Sequence, residues 1–140
     1  MEVLFLIGRV LFGLLFISSG FMAHLGEGGK QGREYARSLG APNPDLLVPL
    51  SGIVIIAGGL MIAFGVWADL GALLVVGFLA GITPIMHAYW KVEDPQMKQL
   101  QSAMFFKNLA LLGAALIIFY IYNQGQDLDA SLTDALFDRI

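Results

Sequence analysis

Four apolar runs dominate this chain, at residues 3 to 24, 46 to 66, 70 to 90 and 104 to 123. Crossing the hydrocarbon of a bilayer takes about 20 helical residues, and each run is of that length. Four transmembrane helices follow. Composition agrees: 57% of residues are apolar and 14% charged, with a mean hydropathy of +0.74, too apolar for a soluble domain of this size. The bilayer is therefore the first partner the sequence implies. The formal net charge of −3 says little more, because most acids sit in loops and in the tail. There is no basic patch with interleaved aromatics, so nucleic acid is not expected. Cysteine is absent, which removes disulfides, thiol redox chemistry and thiolate metal sites.

The connections set the arrangement. Only Trp67, Ala68 and Asp69 separate the second and third runs, so these helices are antiparallel neighbours. In the longer first loop, Gln31 to Leu39 reads as a short interfacial helix stopped by Gly40, Pro42 and Pro44. The first run begins with Glu2 and carries Arg9 within its apolar core, which favours a retained helix over a cleaved signal peptide. Lys30, Arg33, Arg37, Lys91, Lys98 and Lys107 lie on one side, against Arg9 and Arg139 on the other. Positive-inside counting then places the two longer loops in the cytoplasm and both termini outside. Residues 1–123 form the transmembrane domain and 124–140 an acidic tail. In that tail Leu128, Leu132, Leu136 and Ile140 recur every four residues, with Ser131 and Asp134 spaced as a capping box. An amphipathic helix on the membrane or on a partner is the expectation there.

Glycine and alanine recur in every span, and in lipid such small residues let helix backbones approach. Gly77 and Gly81 form a small-xxx-small pair, assigned to internal packing, with homo-oligomerisation as the alternative. Thr83-Pro84 is expected to kink the third helix just before His87.

Few residues could carry chemistry. At about 100° per residue, Arg9, Gly13, Phe16 and Gly20 share one face of the first helix, with His24 about 60° away. Burying an arginine at mid-bilayer costs about 2.5–3.5 kcal/mol, so Arg9 calls for a partner. Asp69, at the same membrane surface, is the nearest acid, as part of a structural clamp or of a substrate or proton pathway. The opposite surface gathers His24, His87, Lys107 and Asn108. These read as interfacial caps, as a hydrogen-bonding pocket for a headgroup, or as haem or metal ligands. Two histidines with no third ligand make a poor metal site, so no metal is expected. Tyr35, Tyr89, Trp90, Phe105 and Phe106 read as an aromatic belt, and Lys91 to Lys98 as a solvated turn. No complete catalytic constellation is present, and no catalytic residue is assigned.

Taken in order, "GRVLFGLLFISSG", "LGAP", "GGLMIAFG", "HAYW" and "FFKNLALLG" resemble the DoxX family of small bacterial membrane proteins, over residues 5 to 123. The resemblance implies a four-helix bundle in the bacterial inner membrane and an association with quinone-linked oxidation. It suggests an accessory subunit of a respiratory or redox-stress assembly, with a partner redox protein and a quinone as lipophilic ligand. A membrane chaperone or scaffold without ligand is the alternative. His87, Lys107 and Asn108 match the family pattern best, while His24 stands where a lysine is common. Members often carry an acid before the glycine pair of the second span, where this chain has Ile55 and Ile56. A counter-charge to Arg9 then has to come from elsewhere.

The expectation is an all-α membrane four-helix bundle, with a short interfacial helix in the first loop and a candidate amphipathic helix in the tail.

Overall fold

The computed structural model describes residues 2–124 and 131–137. The first span is α1, Glu2–Ser19, continued by a π-helical turn, Gly20–His24. Then come the interfacial helix α2, Gly26–Ser38, and the spans α3, Pro44–Phe64, and α4, Ala68–Met86. A 3₁₀ turn, Tyr89–Lys91, leads into α5, Pro95–Asn123. Among the described residues four helical stretches are long and apolar enough to cross a membrane, and the chain is an integral, all-α membrane protein.

Glycine sets the closest approach. Gly13 on α1 faces Gly59 on α3, and a Cβ on Gly59 would stand 2.7 Å from the Gly13 carbonyl oxygen. Gly58 meets Gly71 of α4 in the same way, its Cβ falling 2.9 Å from the Gly71 oxygen. Small residues thus act as the sequence implies at these positions. The pair Gly77 and Gly81 does not: a Cβ on either would meet nothing within 4 Å, so this face is not used for packing inside the chain. The close helix pairs are α1–α3, α3–α4 and α4–α5, around a core of Phe16, Ile55, Ile62, Ala72, Val75, Leu79 and Ala115. By contrast, α1 and α5 meet through long side chains, with Arg9 and Phe5 reaching Tyr122.

Two helices begin well before the positions the sequence suggests. α2 starts at Gly26 instead of Gln31 because Gly28 and Gly29 let it tuck under the end of α1. A side chain on either would strike the carbonyls of Met22 and His24. Close packing here overrides the low helix propensity of glycine. The helix is tied to α3 by Arg37, whose Nη2 donates to both Asp45 carboxylate oxygens at 2.8 and 2.9 Å. α5 starts at Pro95 instead of Met104, because Asp94 accepts the Met97 N–H at 2.8 Å and proline suits the first turn. Of the stretch Lys91 to Lys98, which reads as a solvated turn, the half from Pro95 onward is helix, and the stretch is mostly exposed. α4 ends two residues past Pro84, at Met86.

Residues 131–137 are not helical, which corrects the expectation of a tail helix over that stretch; residues 125–130 and 138–140 lie outside the described residues. The segment instead closes the end of the bundle that carries Arg9 and the α3–α4 hairpin. The Gly65 carbonyl accepts from the N–H groups of Leu132 and Thr133, both at 3.1 Å. Trp67 N–H donates to Thr133 Oγ1 at 2.8 Å. The buried Asp69 carboxylate accepts from Leu136 N–H at 3.0 Å and Phe137 N–H at 2.6 Å. Arg9, 2% exposed, donates to Ser131 Oγ at 2.7 Å and to Tyr122 Oη. The Ser131 hydroxyl that would open a capping box is therefore engaged by Arg9 and Tyr122. The sequence expectation joins Arg9 to Asp69 directly. In the fold each engages the tail.

Candidate functional site

The opposite end of the bundle, covered by α2, holds a cavity of about 310 Å³. It lies where α1 and α5 stand apart, and its walls bring together His24, His87, Lys107 and Asn108. The rest of the lining is mostly apolar, including Phe16, Phe78, Leu79 and Leu111. A largely apolar chamber with a few converging polar groups is the usual form of a small-molecule site.

Each polar group is held by a specific partner. His24 ends the π-helical turn of the first span, where Gly52 of α3 leaves room for its Cβ. Its Nδ1 lies 2.9 Å from Ser51 Oγ and 3.3 Å from the Val48 carbonyl oxygen. Its ring meets Phe78 edge-on, centroids 5.5 Å apart. His87 follows directly on α4, and its Nδ1 lies 2.8 Å from Gln101 Oε1. Gln101 Nε2 donates to Tyr35 Oη at 3.1 Å, and Tyr35 in turn donates to the Met86 carbonyl at 3.4 Å. Asn108, buried within α5, donates through Nδ2 to Thr83 Oγ1 at 3.1 Å. Lys107 is exposed at the rim, its Nζ 3.7 Å from Met104 Sδ. Tyr89, Trp90, Phe105 and Phe106 pack against one another, mostly edge-to-face, at centroid distances of 5.3–6.1 Å.

Sequence reasoning missed Gln101, Tyr35, Thr83 and Ser51 as supports of this site. A signal for Gln101 was present: Gln101, Asn108, Ala115 and Tyr122 recur every seven residues and are all buried, one stripe along α5. Tyr35 carried the look of a belt aromatic, and nothing local distinguishes it.

A second hollow of about 360 Å³ lies alongside, between α3, α4 and the loop after α2. Its lining is apolar apart from Ser51 and includes Gly77 and Gly81. Val48, Phe78, Ile82 and Met86 belong to both hollows. Among the described residues no group of three or more His, Asp or Glu stands close enough to hold a metal ion.

Comparison with known proteins agrees with the architecture. The DoxX family model matches residues 4–88. Inner membrane protein YphA of Escherichia coli (strain K12) is 30% identical over 116 residues, covering 83% of this chain and 81% of that protein. Inner membrane protein YqjF of the same organism is 30% identical over 113 residues, 81% of this chain and 79% of that protein. No solved structure matches.

Proposed function

The chain belongs to the DoxX family, and from that premise we propose that it binds a lipophilic ligand with a polar headgroup, of quinone type, as an accessory subunit of a quinone-linked respiratory or redox-stress assembly. The observation that carries this reading is the cavity whose walls bring together His24, His87, Lys107 and Asn108 within the membrane bundle. A volume of about 310 Å³ suits one ring-sized headgroup. The apolar hollow behind the shared wall of Val48, Phe78, Ile82 and Met86 suits the attached chain. The protein resides in the bacterial inner membrane, as the names of both relatives suggest, with both termini outside by the positive-inside count.

The rival reading is a scaffold with no ligand, holding partner proteins through its helix faces. Purification in mild detergent followed by mass spectrometry of bound lipids and proteins separates the two. The ligand reading expects a near-stoichiometric quinone-like molecule that is lost from the double variant His87→Ala, Asn108→Ala while that variant remains monodisperse. A stoichiometric protein partner with no small molecule would support the scaffold instead.

A further inference from the structure

Both histidines of the cavity have their ring protons fixed by their neighbours. Ser51 Oγ donates its one proton to the Val48 carbonyl at 2.8 Å. The Ser51 oxygen and the Val48 carbonyl are therefore both acceptors toward His24 Nδ1. The Val48 carbonyl can only accept, so its 3.3 Å contact with Nδ1 favours the tautomer with the hydrogen on that nitrogen. The same conclusion holds at His87, by a longer chain. The Met86 carbonyl can only accept, so the Tyr35 hydroxyl spends its proton there and accepts from Gln101 Nε2. This turns Gln101 Oε1 toward His87 Nδ1, so that nitrogen also carries the hydrogen. In the neutral ring the other nitrogen, Nε2, then has a lone pair. Neither Nε2 is hydrogen-bonded to a described residue, and both rings line the same cavity.

We infer that the paired Nε2 lone pairs make this cavity select a headgroup that donates hydrogen bonds, a hydroxylated aromatic ring of the phenol or hydroquinone class, over one that only accepts them. This inference rests on the ligand reading above and sharpens it. Gln101, Tyr35 and Ser51 act here as positioning residues: they touch the histidines and set which ring nitrogen is protonated. Phe16 and Phe78 supply flat apolar walls for such a ring. A ring whose hydroxyls are methylated keeps its shape and loses its donors. Each Nε2 would then be desolvated with no partner, the situation in which a polar site discriminates most strongly.

The probes are a decyl-substituted hydroquinone kept anaerobic, its quinone, and its dimethyl ether, titrated by calorimetry or fluorescence into the full chain in detergent. The expected result is binding of the hydroquinone roughly 10- to 100-fold tighter than the ether, and tighter than the quinone, from two hydrogen bonds gained. In parallel, ¹⁵N NMR of the labelled, ligand-free protein reports the tautomer of each histidine directly. Gln101→Leu should shift the His87 tautomer signal and reduce the preference. Equal affinity for the three probes overturns the selectivity and leaves the ligand reading standing. Binding of none overturns both. An NMR spectrum with both histidines protonated at Nε2 overturns the inference whatever the affinities.

Discussion

Asp69→Ala is the substitution through which the fold of the tail is most sharply tested. The carboxylate is 0% exposed, lies in the first turn of α4, and accepts two N–H groups from residues far along the chain, Leu136 and Phe137. Hydrogen bonds to a charged acceptor contribute about 1.5–3 kcal/mol each, and a carboxylate in the first turn of a helix adds about 0.3–1 kcal/mol from the helix dipole. The tail segment also keeps its bonds to Gly65, Trp67 and Arg9, so part of the loss is recovered by relaxation. A net weakening of the closed tail by about 2–4 kcal/mol follows, which corresponds to an opening equilibrium roughly 30- to 1,000-fold more populated. Hydrogen exchange followed by mass spectrometry on the peptide spanning residues 131–137 measures this opening. In the native chain the amides of Leu136 and Phe137 should be protected. In Asp69→Ala their exchange should accelerate by that factor, with α3 and α4 little changed. Unaltered exchange at these two amides would refute the view that Asp69 holds the tail.

Three other outcomes are expected. Gly59→Ala should destabilise the bundle by about 1–3 kcal/mol through overpacking against Gly13, whereas Gly77→Ala, whose Cβ enters open space, should leave thermal stability in detergent unchanged; equal losses would contradict the assigned helix contacts. Gly65→Ala places a Cβ 2.6 Å from Arg9 Nη1 and 2.8 Å from Ser131 Cα at a φ of +66°, so a loss of about 1–3 kcal/mol is expected in the same melt, and a neutral result would count against the tail's seat on the hairpin. In this cysteine-free chain, a cysteine at Ser38 should resist a membrane-impermeant thiol reagent in intact cells, and one at Leu132 should react; the reverse labelling would invert the topology.

Much of the first span was legible because one helix face had to be both small and polar. Arg9, Gly13, Phe16 and Gly20 are all buried, as the periodicity implies. The four spans were legible for a simpler reason, since length and apolarity alone decide which segments cross a bilayer. The tail was not. A four-residue leucine repeat suggests a helix, but the carbonyl of Gly65 and the carboxylate of Asp69 offer its N–H groups partners that no local pattern reveals. The start of α5 was written in the sequence as Asp94-Pro95, a cap followed by a first-turn proline, and was obscured by the polar residues beyond it. Gly77 and Gly81 show the opposite limit: spacing marks a face as small and cannot say whether a helix or open space lies against it. At the cavity, the four polar residues nearest the longer-loop surface could be singled out by type and depth. Their supports, Gln101, Tyr35 and Ser51, depend on which helices become neighbours.

The most direct measurement of the central claim is photo-cross-linking of the purified protein with a decyl quinone carrying a diazirine on its ring, followed by peptide mapping. A headgroup seated in the cavity should label the segments 78–87 and 101–111, which contribute Phe78, His87, Asn108 and Leu111 to its walls, and His87→Ala with Asn108→Ala should abolish that labelling. Labelling spread instead over the lipid-facing surface of α1, at Leu4, Leu11 and Leu14, and unchanged by the double substitution, would contradict a ligand site in this cavity.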